Sequence, residues 1–372
     1  MIEPEVIGII GRQGAYGRWL ARFFRERMGL VVIGRDPPAG DTALDEAQII
    51  AACDVLVFAA PIRDSAALIA DYARIAGGRE RRQLWLDVTS IKREPVSAML
   101  ASQAEVLGLH PMCAPPKAPT LRGRTLACCP ARLDRWRPWS QRLLAALEAE
   151  CVEADPGRHD QFMALVQGMV HAVHLAQASV LRQHGGEFGF LEGLWPFRSA
   201  SFELDLTMAA RILSGNPAIY EGIQFDNPAA LPVLESLVEQ LAQMRDCLRQ
   251  GDETARSHFR EVFIDINRQF FGKTALQRGN HGFERLGYLL ADLTEPRTLS
   301  IHLIDDHPGS LRDLLQRVAA HGVNLRSIHS SRSPEGDVHF RLGCEDDSDP
   351  AALARIVEDI EASGLGRRVR SA

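Results

Sequence analysis

The sequence predicts an α/β protein: a dinucleotide-binding domain over residues 1–155, an all-α domain over 156–294 and a small α+β module over 297–372. Three observations carry this. The apolar run Glu5-Val6-Ile7-Gly8-Ile9-Ile10 passes at once into Gly11-Arg12-Gln13-Gly14-Ala15-Tyr16-Gly17, and then into Trp19, Leu20, Phe23 and Phe24 at helical spacing. From Asp155 to about Leu293 the apolar residues recur three and four apart. Strand-like alternation then returns in Thr298-Leu299-Ser300-Ile301-His302-Leu303.

Composition narrows the class. The chain has 372 residues, 46% hydrophobic and 24% charged, an ordinary globular balance with core enough for two or three domains. A net charge of -6 argues against a nucleic-acid partner, which would need a basic face. No unbroken apolar run reaches the roughly 18 residues of a membrane span, and Met1-Ile2-Glu3-Pro4-Glu5 lacks the basic and apolar regions of a signal peptide. The seven cysteines are scattered without a CxxC, so neither a disulfide framework nor a metal site is expected. These features predict a reduced, cytoplasmic protein.

In the first domain, strand, glycine loop and helix follow one another directly, the order of a Rossmann-like fold. Gly11, Gly14 and Gly17 let the backbone approach a pyrophosphate, and the helix N-terminus supplies free N–H groups. The spacing is GxxGxxG, one residue longer at the front than the usual fingerprint. The second strand, Leu30-Val31-Val32-Ile33-Gly34, ends in Arg35-Asp36. An acid here binds the ribose hydroxyl of NAD and an arginine can take the 2′-phosphate of NADP, so both cofactors stay open. Asp54-Val55-Leu56-Val57-Phe58-Ala59-Ala60-Pro61 is the next buried strand, and its end at Pro61 should border the cofactor. Leu84-Trp85-Leu86-Asp87 and Val106-Leu107-Gly108-Leu109 follow, delivering Ser90 and His110 to the carboxyl ends where ligands of parallel sheets bind. Residues 125–130 and 150–153 read as two more strands around a helix over 132–147.

Asp155-Pro156 is a helix start, an N-cap followed by proline at the first helical position. Breaks are expected at His184-Gly185-Gly186, Gly215-Asn216-Pro217 and Asn227-Pro228, and Glu295-Pro296 should end the helices. An all-α domain beside a dinucleotide fold commonly closes one wall of the active site and forms the dimer. His171 lies one turn after Gln167 on the first helix, with His159 and His174 nearby. It either packs as an ordinary helix histidine or donates to an anionic substrate. Arg211, in an otherwise apolar run, must snorkel, pair with an acid such as Asp205, or meet a ligand carboxylate.

In the tail, Asp305-Asp306-His307-Pro308-Gly309-Ser310 opens a helix carrying Leu311, Leu314, Leu315 and Val318, and Gly322-Val323-Asn324-Leu325 leads into a second strand. Residues 338–342 offer a third strand and 350–362 a second helix. This order resembles an ACT domain, whose strand, Asp-x-Pro-Gly, helix and Gly-Ile-Asn-like pattern matches residues 305–325. The resemblance implies a small amino-acid effector near that loop; the plain alternative is a module that only aids assembly.

The glycine loop, Asp87-Val88-Thr89-Ser90-Ile91-Lys92, Gly108-Leu109-His110-Pro111-Met112, His159-Asp160-Gln161 and Arg211, taken in order over residues 5–290, resemble the prephenate dehydrogenase family of tyrosine biosynthesis. The resemblance implies oxidative decarboxylation of prephenate to 4-hydroxyphenylpyruvate with hydride transfer to NAD or NADP. It also implies a homodimer and an aromatic amino-acid effector, tyrosine, at the ACT-like module. By the same resemblance His110 is the base for the C4 hydroxyl, Ser90 shares that hydroxyl, Arg211 clamps a substrate carboxylate and His171 contacts substrate. His159-Asp160 reads as structural support for the helix start.

Three positions depart from the family pattern, one of them Arg35, which displaces the second-strand acid and leaves the cofactor open. Six residues after His110, where relatives often carry an acid, stands Pro116, followed by Lys117; this opens the choice between prephenate and its amino analogue arogenate. Where some relatives carry an arginine in the helix before Arg211 stands Glu203. The competing readings are an arogenate or cyclohexadienyl dehydrogenase, a 3-hydroxyacid dehydrogenase, which would want a catalytic lysine where this chain has Arg211, and a non-catalytic amino-acid-sensing regulator.

Overall fold

The computed structural model describes residues 3–36, 44–294, 298–332, 338–345 and 347–368. Contacts divide the chain into two units, Met1–Gln250 and Gly251–Ala372.

The first unit opens with a seven-stranded sheet of order β2-β1-β3-β4-β5-β6-β7. Its strands are β1 (Val6–Ile10), β2 (Val31–Arg35), β3 (Val55–Phe58), β4 (Leu84–Asp87), β5 (Glu105–Pro111), β6 (Thr125–Arg132) and β7 (Glu150–Glu153). Every residue of β3, β4 and β5 is buried, as expected of strands covered on both faces. Alternate residues serve different cores. Ile7, Ile9, Val57 and Leu86 pack with Trp19, Phe23, Phe24, Trp136 and Trp139, whereas Ile10, Phe58 and Trp85 pack with Ile49, Ile69, Tyr72 and Met99. The covering helices are α1 (Ala15–Glu26), α2 (Glu46–Ala52), α3 (Ile62–Ala76), α4 (Arg93–Leu100) and α5 (Arg137–Leu147).

Strands β2, β1, β3, β4 and β5 are mutually parallel, but β6 runs antiparallel to β5. The chain after His110 therefore folds straight back beside β5, with Leu109 opposite Cys128. Because β2 and β3 flank β1 on opposite sides, the chain changes direction there. The crevice at the carboxyl ends of β1 and β3 is the switch point where such sheets hold ligands.

Helices fill the remainder of this unit: α6 (Pro156–Met163), α7 (Val170–Gly185), α8 (Phe190–Leu194), α9 (Ala200–Leu213), α10 (Pro217–Phe225) and α11 (Ala230–Gln250). A π-helical segment, Ala164–Met169, joins α6 to α7. The expected start is present: the Asp155 carboxylate accepts from the Gly157 and Arg158 amides, with Pro156 at the first helical position. Asn227, at the last expected break, is buried and ties α6 by donating from its side chain to the Asp160 carbonyl at 2.8 Å. Contrary to the sequence expectation, the stretch Pro156–Phe188 is long and apolar enough to cross a membrane by length and composition, because scattered polar residues interrupt it without lowering its mean hydropathy far; only 11% of its most apolar window is buried within this chain.

The second unit has helices α12 (Glu253–Phe259) and α13 (Ile266–Thr294), joined by a π-helical turn and kinked at Gly272. It continues with β8 (Thr298–Leu303), α14 (Ser310–Ala320), β9 (Leu325–Arg332), β10 (Val338–Cys344), α15 (Pro350–Ala362) and β11 (Gly366–Arg368). The expected Glu295-Pro296 helix end lies outside the described residues. The sheet order is β11-β8-β10-β9, antiparallel throughout. Leu299, Ile301 and Leu303 pack on Leu314, Val318, Ile356 and Ile360, which gives the α+β layer expected.

Candidate active site

The glycine loop is shaped by close approach. Gly11 has φ +84°, and a Cβ there would lie 2.5 Å from the Ala59 carbonyl oxygen at the end of β3. A Cβ on Gly17 would collide with the Gly11 carbonyl, so α1 starts against the turn itself. Gly14 occupies the N-cap of α1, and its amide donates to Gly11 at 3.0 Å. This backbone cradle, open at a helix N-terminus, fits a dinucleotide pyrophosphate.

At the end of β2 the two candidate ribose residues differ. Arg35 is committed to the protein: its guanidinium donates to Glu46 at 2.6 and 3.1 Å and to the Leu44 carbonyl at 2.7 Å. Asp36 faces the glycine loop, both carboxylate oxygens accepting from the Gln13 amide at 3.1 and 3.0 Å. Pro61 takes the N-cap position of α3, exposed, with its carbonyl accepting from the Ser65 hydroxyl at 2.8 Å.

His110, near the end of β5, is 2% exposed. Its Nδ1 lies 3.0 Å from His159 Nε2, and His159 Nδ1 lies 2.8 Å from the Asp160 carboxylate. Asp160 also accepts from the backbone amides of Lys92 at 2.7 Å and Arg93 at 2.9 Å, which open α4. A carboxylate can only accept, so His159 Nδ1 carries a proton and its Nε2 is an acceptor. His110 must then donate from Nδ1, which leaves its Nε2 unprotonated. Burial first, then the neighbouring His159 and the Lys92 cation, hold the His110 pKa well below 6.5. The result is a neutral imidazole of fixed tautomer, the form a general base needs.

Beneath it lies a buried ion pair. Lys92 Nζ donates to Asp87 Oδ1 and, at 2.7 Å, to the Leu109 carbonyl. Thr89 adds its hydroxyl to Asp87 at 2.7 Å, locking the turn after β4. Ser90 is half-buried in that turn.

Across the site, His171 is half-buried on α7 with its Nδ1 buried and unpartnered, and its ring meets Tyr220 edge-on at 5.0 Å. Burial first, then the charges of Arg211 and His174, lowers its pKa. Arg211 is exposed, and among the described residues its guanidinium has no ion-pair partner. Asp205, one expected partner, instead sits 3.6 Å from His174.

Four contributors were not legible in the sequence. His159-Asp160 reads in the sequence as support for the Asp155-Pro156 helix start; in the structure Asp160 instead accepts from the amides that open α4, and the pair sets the tautomer of His110, 49 residues from His159. Gln167 places its amide nitrogen 3.3 Å from His110 Nε2. Tyr16, inside the glycine loop, donates its hydroxyl to the Cys113 carbonyl, and Trp19 donates to Ala118 at 3.0 Å. The start of α1 thereby staples the segment that follows His110. Only the helical spacing of Gln167 and His171 hinted at any of this.

Comparison with known proteins agrees with this architecture. Residues 155–263 match the prephenate dehydrogenase dimerization domain and residues 297–362 the ACT domain. The chain is 26% identical over 308 residues to a probable arogenate/prephenate dehydrogenase of Methanocaldococcus jannaschii, covering 78% of this chain and 66% of that protein. It is 27% identical to the T-protein of Haemophilus influenzae, covering 74% of this chain and 72% of that one. Among solved structures, prephenate dehydrogenase from A. aeolicus, in complex with hydroxyphenyl propionate and NAD+, shares the fold: TM-score 0.55 at 17% identity, over 73% of this chain and 99% of that one.

Proposed function

We propose that this member of the prephenate dehydrogenase family, which carries that family's dimerization domain and an ACT domain, oxidatively decarboxylates prephenate to 4-hydroxyphenylpyruvate with NAD(P). The observation that carries the reading is the unprotonated Nε2 of a buried neutral His110, fixed through His159 and Asp160 at the carboxyl end of β5.

Gly11, Gly14 and Gly17 would hold a nicotinamide dinucleotide, bordered by Asp36 and Pro61, which when bound would supply the acceptor for the C4 hydride. The remaining tasks fall to the chain. His110 Nε2 accepts the C4 hydroxyl proton as the carbonyl character of that carbon grows. The positive charge acquired by the imidazole is shared through His159 with the Asp160 carboxylate. Ser90 orients the hydroxyl from the turn after β4. Arg211, whose guanidinium has no ion-pair partner among the described residues, clamps a substrate carboxylate, and His171 donates beside it. Carbon dioxide then departs as the ring becomes aromatic.

Asp36 facing the crevice and Arg35 turned into Glu46 favour NAD. Pro116 and Lys117 offer no carboxylate to an ammonium, which favours prephenate over arogenate. We read residues 1–155, 156–294 and 297–372 as the cofactor, dimer and regulatory domains of a cytoplasmic homodimer. The apolar face of Pro156–Phe188 is then a subunit interface, and tyrosine is the effector of the ACT domain.

The test is a rate matrix of prephenate and arogenate against NAD and NADP, followed by reduced-nicotinamide absorbance with and without tyrosine. Absence of turnover in every combination overturns the reading. His110→Asn distinguishes an enzyme from a regulator: turnover should fall about 10²–10⁴-fold with NAD binding kept.

A further inference from the structure

Gln167 lies in the π-helical segment Ala164–Met169, between the helix that carries His159 and the one that carries His171. Such single-turn π segments recur at functional sites because they re-aim a side chain. This one is pinned from outside: the Gln224 side chain donates to the Gly168 carbonyl at 2.7 Å. The Gln167 amide nitrogen sits 3.3 Å from His110 Nε2, while its amide oxygen is buried with no partner. One turn on, His171 Nδ1 is buried and unpartnered as well. Buried polar atoms left unpaired are rare, and two of them one helical turn apart mark a place completed by something else.

We infer that Gln167 is the positioning residue of the base: its N–H occupies the His110 Nε2 lone pair until the substrate hydroxyl arrives, and its carboxamide then holds that hydroxyl with the O–H aimed at Nε2. The inference rests on the reading of His110 as base.

The geometry limits the alternatives. Nε2 is a lone pair because His159 takes the Nδ1 proton, so the amide at 3.3 Å must present N–H to it. That contact is long for a hydrogen bond between neutral groups and readily exchanged. A carboxamide carries donor and acceptor side by side, so it can give N–H to the hydroxyl oxygen without leaving its place.

An N–H donated to Nε2 favours the neutral imidazole, since the imidazolium has no lone pair there. The other groups acting on His110 are His159 with Asp160 from α6, and Lys92 with Asp87 from the turn after β4. None of these changes when residue 167 is replaced.

The experiment compares the full-length wild type, Gln167→Met and Gln167→Glu. The acid limb of kcat/KM for prephenate is measured against pH at saturating NAD. The His110 ring nitrogens are titrated by NMR in the cofactor-free protein. The limb and the His110 titration should move to higher pH in Gln167→Met, which keeps the length and removes the donor. They should move further in Gln167→Glu, whose carboxylate favours the imidazolium. The KM for prephenate should rise about 2–10-fold in Gln167→Met, the worth of one hydrogen bond. A limb and titration at the wild-type pH in both variants would overturn the inference even if kcat fell, because lost packing alone leaves the His110 pKa untouched. Wild type lacking an acid limb, or His110→Asn with full turnover, would instead remove the base itself, and the role of Gln167 with it.

Discussion

His110 Nδ1 stands 3.0 Å from His159 Nε2, with the two rings edge to face at 5.1 Å between centroids. The contact joins the sheet to the first helix of the helical region, and Asp160 gives it a direction. Asp160→Asn exchanges one acceptor for a donor among three N–H groups. The tautomer of His159, and with it that of His110, is then no longer imposed. The expected outcome is a kcat fall of about 10²-fold, at the low end for a general base, with destabilisation of about 1–3 kcal/mol from the disturbed α4 cap. Saturating kinetics and thermal melts check it; a wild-type kcat would show that the relay does not act on the base.

The depressed His110 pKa makes a signed pH prediction. Its folded value lies below 6.5, chiefly through burial and then through His159 and Lys92, and His171 is lowered in the same sense. His110 thus stays neutral at pH 7, and with His110 as the proposed base the acid limb of kcat/KM should lie below pH 6.5. Below about 6.5 the unfolded chain binds more protons than the folded one, so these histidines withdraw stability as pH falls toward their folded values. Urea midpoints at pH 7.5 and 5.5, compared between wild type and His110→Asn, should show a smaller acid loss in the variant.

Tyr16 couples the two loops of the site through its hydroxyl on the Cys113 carbonyl. Tyr16→Phe keeps the ring against Trp19 and removes only that hydrogen bond, at a cost of about 1 kcal/mol. A several-fold loss of kcat with the KM for NAD unchanged is expected, as the segment beyond His110 loosens. Equal losses in both parameters would instead locate the effect in cofactor binding.

Arg35 and Asp36 stand side by side in sequence but not in use. Arg35→Ala should lower the melting temperature, because Glu46 and the Leu44 carbonyl lose their donor, without weakening NADP. Asp36→Ser should narrow the ratio of NAD to NADP efficiency. An Arg35→Ala variant that loses NADP turnover selectively would reverse this assignment.

Arg211→Lys retains the charge and loses the planar fork. KM for prephenate should rise about 10–100-fold, the worth of a charge-assisted hydrogen bond, with kcat changed far less. Arg211→Ala should go further in the same direction. A KM unchanged by both would leave Arg211 as a solvated surface cation.

The order of strands and helices, the glycine loop and the delivery of His110 and Ser90 to strand ends were legible in the chain, because each is local. Periodicity reports which face is buried within a few residues, and Gly11, Asp155-Pro156 and Pro350 mark turns and caps that short stretches determine by themselves. Tertiary structure alone decided the reversal of β6, which folds the segment after His110 back along the sheet. It decided that Arg35 turns to Glu46 while Asp36 turns to Gln13, since both partners come from other elements of the chain. It also decided the tautomer of His110. That proton is placed by an imidazole 49 residues away and a carboxylate next to it, and hydrogen bonds across such separations leave no period or spacing to read.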